Sequence, residues 1–188
     1  DWHPRLLVSG LWNETYIETR DNDTITACEV SYTLNGDLTA ADVHFECTGA
    51  KDVEYAIYDA DGCELYRGNK NECRIENIRL WWCSGQGEPY LYRWTARSKS
   101  DERCGRIGFK RVRLVMCDGA WEQPSGFPKS RSNPPMTVEL NGRRIFAKGS
   151  NWVNPEIFTG TITEETYRTR LELAKAANMN ILRCWGGA

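Results

Sequence analysis

Histidine is nearly absent from this chain, with His3 and His44 alone among 188 residues, and no two of its eight cysteines are spaced as C-x-x-C. These absences exclude the usual spacing of a zinc site. No metal and no cofactor is expected. There is no long apolar run to cross a bilayer, and no positively charged start followed by an apolar stretch. A membrane partner is therefore not expected. Charge of one sign is also lacking, since 24 Lys and Arg balance 26 Asp and Glu for a net charge of −2, and no basic stripe is present. A nucleic-acid partner loses its electrostatic footing. The first residue is Asp rather than Met and the chain closes on Gly186, Gly187 and Ala188. A piece of a longer polypeptide is expected, from which a leader could have been removed.

What remains is globular in composition, 40% hydrophobic and 11% aromatic, at a length that fits one large domain or two small ones. Cys47 falls in phase with Val43 and Phe45, and Cys28 with Val30 and Tyr32. This favours thiols used as small buried hydrophobes over structural disulfides, and hence a reducing, cytoplasmic location.

From Ile25 to Cys117 short strands follow one another. Val43, Phe45 and Cys47 alternate with polar neighbours, as do Val112, Leu114 and Met116, so each strand is expected to have one face toward a core and one toward water. Asn35-Gly36, Asp61-Gly62, Gly85-Gln-Gly87 and Asp118-Gly119 mark the reversals. About seven strands in roughly 100 residues is the rhythm of an immunoglobulin-like sandwich, placed at 21–118. Prolines and serines over 119–135 read as a linker. Residues 1–20, with Trp2, Leu6, Leu7, Leu11, Trp12, Tyr16 and Ile17, read as the closing strands of a preceding domain.

Beyond the linker, Asn141-Gly142 between Met136–Leu140 and Arg143–Phe146 predicts a two-residue hairpin. Thr163 is placed to cap a helix whose first turn holds Glu164 and Glu165, with Tyr167, Leu171 and Ala174 as its apolar stripe. Ile181-Leu182 follows. Strand, helix and mostly apolar strand make a parallel βαβ unit. The fold class expected is mainly β with a C-terminal α/β piece, the latter occupying 136–188.

In a parallel barrel the chemistry sits at the C-terminal ends of strands. Asn151 and Trp152 end the first candidate strand, Arg183 and Trp185 the second. An arginine there can fork onto sugar hydroxyls or a carboxylate, and a tryptophan can stack on a pyranose. Periodicity alone favours the plainer account, in which the tryptophans are core aromatics and Arg183 snorkels.

A resemblance shifts that balance. Leu140-Asn-Gly-Arg-Arg-Ile-Phe-Ala-Lys-Gly-Ser-Asn-Trp152, Thr163-Glu-Glu-Thr-Tyr167 and Ala176-Ala-Asn-Met-Asn-Ile-Leu-Arg-Cys-Trp-Gly-Gly187 resemble the start of the catalytic barrel in glycoside hydrolase family 2, in its β-mannosidase-like form. Asp1-Trp-His-Pro-Arg5, Gly10-Leu-Trp12 and Tyr16-Ile-Glu18 resemble the end of that family's sugar-binding jelly roll. Leu80-Trp-Trp82, Gly87-Glu-Pro-Tyr-Leu-Tyr92 and Arg106-Ile-Gly-Phe109 resemble marks of its immunoglobulin-like domain. The resemblance implies an immunoglobulin-like sandwich followed by the first βαβ portion of a (β/α)8 barrel, within a retaining exo-glycosidase that removes terminal β-mannose from oligosaccharides. It implies that both catalytic glutamates lie on later strands, so no catalytic residue is expected within these 188 and the isolated chain is expected to be inactive. Its partner would be the remainder of its own barrel. Asp1, Trp2, Asn151, Trp152, Arg183 and Trp185 match the family's sugar-binding shell. Cys184, Ala188 and Asn154-Pro155 depart from the family pattern. Another glycosidase of the same family (a β-galactosidase, β-glucuronidase or exo-glucosaminidase) or a non-catalytic carbohydrate-binding sandwich are the alternatives. Substrate profiling separates the first, and glycan binding by residues 21–135 alone the second.

Overall fold

The computed structural model describes residues 9–11, 13–120 and 135–186. Asp1 and Trp2, most of the expected linker, and the last two residues lie outside the described residues. Two sheets face each other across one core. The first has three strands in the order β1-β2-β5, with β1 at Ala27–Leu34, β2 at Ala40–Thr48 and β5 at Glu72–Glu76. The second has four in the order β4-β3-β6-β7, with β3 at Glu54–Tyr58, β4 at Glu64–Gly68, β6 at Tyr92–Arg97 and β7 at Glu102–Ile107. All pairings within them are antiparallel. The chain leaves the first sheet after β2, returns for β5 and leaves again, as an immunoglobulin-like sandwich requires.

The core follows from alternation. Val43 and Phe45 from β2 and Ile75 from β5 meet Tyr55, Ile57, Tyr92, Ala96 and Ile107 from the second sheet. Phe45 is fully buried between the sheets, 4.8 Å from the Tyr55 ring and 6.2 Å from Trp94. Trp94 in turn lies across β7 at Gly105, where a Cβ would stand 2.6 Å from the indole. Only glycine leaves the ring that seat.

The turns depart from expectation in one place. Asn141 and Gly142 both take positive φ, 52° and 81°, as a two-residue hairpin turn demands. At the β1–β2 turn the left-handed residue is Leu38, at φ 63°, and not Asn35 or Gly36. Asn35 serves through its side chain instead, its Oδ1 accepting the N–H groups of Thr39 and Ala40 at 2.8 and 2.9 Å.

That turn sets a register that pairs Leu34 with Ala41 and, at the far end, Cys28 with Cys47. The two are disulfide-bonded, which corrects the expectation of free buried thiols. Of the remaining cysteines only Cys83 is buried, while Cys63, Cys104 and Cys184 are exposed. The step from buried thiols to a reducing compartment therefore loses its footing. Strand phase places a cysteine on a face, but only register shows that another stands opposite, and register depends on the turn. Burial pushes the Cys73 thiol up to about 11. Alkylation near pH 8 needs the thiolate, of which only about a thousandth is then present at Cys73. Iodoacetamide is expected to modify Cys63, Cys104 and Cys184 first and Cys73 slowly, with Cys28 and Cys47 reacting only after reduction. Peptide mapping that finds either of those two modified without reductant would contradict the bond.

β8, Val112–Met116, leaves the sandwich. It pairs with β9, Met136–Leu140, and β9 with β10, Arg143–Ile145, in a third sheet. Val112 and Leu114, in phase for a core, are 57% and 67% exposed, because alternation fixes which residues share a face and not whether that face is covered. Met136–Leu140 is thus joined by a strand ladder to the residue run expected to close the sandwich. The described residues of 9–20 form no strand, and Leu11, Tyr16 and Ile17 are exposed. A strand needs a neighbouring edge to bond to.

The last portion is a βαβ unit. β11, Gly149–Trp152, pairs in parallel with β12, Ile181–Cys184, and α1, Glu164–Ala176, crosses between them. Thr163 caps α1 by accepting the Thr166 N–H at 3.2 Å, and Asn178 turns the chain out of it at φ 56°. No residue of α1 is buried. The apolar stripe is present but half open, with Tyr167 37% and Leu171 48% exposed. No helix among the described residues is long and apolar enough to cross a membrane.

Candidate functional site

The backbones of β11 and β12 approach closely at the first rung of their ladder. A Cβ at Gly149 would stand 1.9 Å from the Ile181 carbonyl oxygen, so no side chain fits there. From that rung the register runs Ser150 to Leu182, Asn151 to Arg183 and Trp152 to Cys184. Strand alternation then divides the side chains. Ala147, Gly149, Ser150, Asn151, Ile181 and Arg183 line a recess of about 430 Å³. Trp152 and Leu182, with Leu173 and Ala174 of α1, line another of about 490 Å³ toward the helix, which Ser150 and Asn151 reach as well.

Four of the six candidate residues are described. Asn151 and Arg183 are brought together, the guanidinium donating from Nη1 to Asn151 Oδ1 at 3.0 Å. Both side chains are exposed, and among the described residues Arg183 makes no ion pair. Trp152 is not brought to them. Its ring stacks on Tyr167 at 6.1 Å between centroids and 20° between planes, on the helix side. Trp185 continues the ladder one step past β12, donating its N–H to the Trp152 carbonyl at 2.9 Å, with its side chain 37% exposed.

Two acidic residues at the start of α1 are used elsewhere. Glu164 pairs with Arg168 at 2.5 Å, one turn along α1, and Glu165 accepts from Thr169. Among the described residues no group of three or more His, Cys, Asp or Glu could hold a metal. The arrangement can therefore bind and orient a polyhydroxyl ligand through an amide and a guanidinium. Among the described residues it offers no pair of facing carboxylates.

Sequence reasoning passed over Tyr167 as the partner of Trp152, although i, i+4 spacing put it on the apolar stripe. It also passed over Asn180, whose side chain bonds backbone on both sides of Ala147. No local pattern marks a side chain that bonds to a backbone over thirty residues away.

With this geometry in view, comparison with known proteins is decisive at one level. The sequence model of "Glycosyl hydrolases family 2" matches residues 13–110. This chain belongs to that family. β-Mannosidases align over the whole chain: that of Capra hircus is 26% identical over 218 residues, that of Rattus norvegicus 27% over 212, and β-mannosidase B of Aspergillus oryzae 26% over 206. In each case 100% of this chain covers 23% of the relative, so the chain spans about a quarter of the curated relatives it matches. Among solved structures, the β-glucuronidase of Ruminococcus gnavus in complex with N1-substituted uronic isofagomine superposes with a TM-score of 0.58 at 24% identity. The same enzyme in complex with D-glucaro-d-lactam superposes at 0.59 and 23%. Each match covers 86% of this chain and 26% of that one. This likeness shows a shared fold. The family match falls on the sandwich, and the Asn151–Arg183 pair lies outside it, within the longer alignments to the β-mannosidases.

Proposed function

We propose that the polypeptide to which these residues belong is a retaining exo-glycosidase releasing terminal β-linked mannose from oligosaccharides. The observation that carries this reading is the Asn151–Arg183 bridge at the C-terminal ends of two parallel strands, in a family 2 chain that β-mannosidases match from end to end. On this reading residues 21–118 brace the barrel, 119–135 connect, and 136–188 are its first βαβ portion. Arg183 and Asn151 hold hydroxyls of the terminal sugar, Trp185 flanks it, and Asp1 and Trp2 reach the same subsite from the preceding domain. Trp152 supports the subsite from behind by fixing α1 through Tyr167. Retention requires two carboxyl groups about 5 Å apart, one acting as acid and base and the other as nucleophile. Later strands supply both.

The test uses chromogenic β-mannoside, β-glucuronide and β-galactoside with the complete polypeptide and with residues 1–188 alone. The complete protein is expected to cleave the mannoside fastest, and residues 1–188 to release nothing above a blank. Arg183→Ala in the complete protein is expected to lower kcat/KM about a hundredfold, as loss of a charged contact in the transition state does. Preference for the glucuronide or galactoside would overturn the assignment of the sugar. Cleavage by residues 1–188 would overturn the placement of the carboxylates.

A further inference from the structure

The Asn151–Arg183 pair stands on a support too slight to hold it. β11 and β12 contribute four residues each, and α1 buries none of its side chains. A lone two-stranded unit is marginal in water. Its orientation must come from elsewhere, and two asparagines show where.

An asparagine side chain carries a donor and an acceptor and can pair with backbone as a peptide group does. Asn141 does so at the tip of the β9–β10 hairpin. Its Oδ1 accepts the Arg111 N–H at 2.8 Å, its Nδ2 donates to the Trp81 carbonyl at 2.9 Å, and its own N–H donates to the Arg111 carbonyl at 2.8 Å. Trp81 is anchored in turn, its N–H donating at 2.8 Å to the carbonyl of the fully buried Phe109. Arg143, two residues past Asn141, lies 4.6 Å over the Trp82 ring. The hairpin is thus bonded to the sandwich core. Asn180 repeats the device at the other end of the connection. Its Oδ1 accepts the Lys148 N–H at 2.8 Å, its Nδ2 donates to the Phe146 carbonyl at 3.0 Å, and its N–H donates to the Lys148 carbonyl at 2.8 Å. Along the chain only Gly142 and β10 separate Asn141 from Phe146, whose carbonyl the second clamp holds.

We infer that Asn141 and Asn180 are positioning residues, forming an amide-to-backbone bridge by which the sandwich sets the orientation of the Asn151–Arg183 pair. The bridge deepens the reading of that pair as a sugar contact but is tested without it. Asparagine is needed at both places, because aspartate keeps the acceptor and loses the donor, while a shorter side chain loses the reach. At Asn141 the positive φ adds a second restriction.

Amide exchange followed by NMR on the 188-residue chain decides the matter. Asn141→Asp keeps the bond from Arg111 and removes the donor to Trp81. Asn141→Gly keeps the turn conformation and removes both side-chain bonds. In each variant the Ile181 and Trp185 amides, which donate to the Lys148 and Trp152 carbonyls, are expected to exchange about tenfold faster or more. The Phe45 amide in the sandwich and the β9–β10 ladder amides are expected to keep their parent rates. The inference is overturned if Ile181 and Trp185 exchange as in the parent chain, since the bridge then ends at the hairpin. It is equally overturned if they are unprotected in the parent, or if sandwich and hairpin amides accelerate by the same factor. No sugar enters the experiment, so its failure is distinct from failure of the proposed activity.

Discussion

Phe45→Ala is expected to bring the sandwich close to unfolding at room temperature. The side chain is fully buried and touches both sheets, since its own strand belongs to the first and its ring neighbours, Tyr55 and Trp94, to the second. Truncating a buried phenylalanine costs about 3–5 kcal/mol, from lost transfer energy and from the cavity left behind. The surroundings here cannot close that cavity. Trp94 is already seated against Gly105, and Tyr55 is held in a ladder between β4 and β6. A domain of this size has about 5–15 kcal/mol in total. Denaturant unfolding followed by near-ultraviolet circular dichroism should show the midpoint shifted by a loss in that range with an unchanged slope. A loss below about 1 kcal/mol would mean that sheet-to-sheet packing does not rest on this ring.

Gly149→Ala is expected to act on the other end of the molecule and leave the sandwich alone. The new Cβ would meet a backbone carbonyl, that of Ile181, at 1.9 Å. No rotamer relieves such a clash, because the obstacle is the neighbouring strand itself. β11 and β12 must separate, and with them the Asn151–Arg183 hydrogen bond and the Trp152–Tyr167 stack. The unfolding midpoint of the sandwich should not move, while the Ile181 and Trp185 amides lose their protection. In the complete protein, kcat/KM should fall about a hundredfold, the usual consequence of displacing a binding group by an ångström. Retained protection at Ile181 would show that the strands tolerate the methyl group and that their close approach is incidental.

Much of the architecture is written locally. The alternation of Val43 and Phe45, the Asn141-Gly142 turn and the cap at Thr163 each depend on neighbours a few residues away, and each stands in the structure as the residues suggest. The candidate site was legible to the same depth. Strand ends could be located, and so Asn151 and Arg183 could be named. Trp152 is one residue further along, and that single step turns it to the opposite face, where Tyr167 occupies its ring.

By itself the sequence determined most of the elements that form from Ala27 onward, the alternation that sorts their side chains, and membership of a glycosyl hydrolase family. Those are matters of backbone preference, two- and 3.6-residue periods and recurring motifs, all readable along one dimension. Only the tertiary structure decided that Cys28 faces Cys47, that β8 quits the sandwich for β9, and that Asn141 and Asn180 bond to backbone as far as sixty residues away. Each of these rests on register or on a long-range hydrogen bond. Such contacts are set by how all the elements pack at once, and no single segment encodes them.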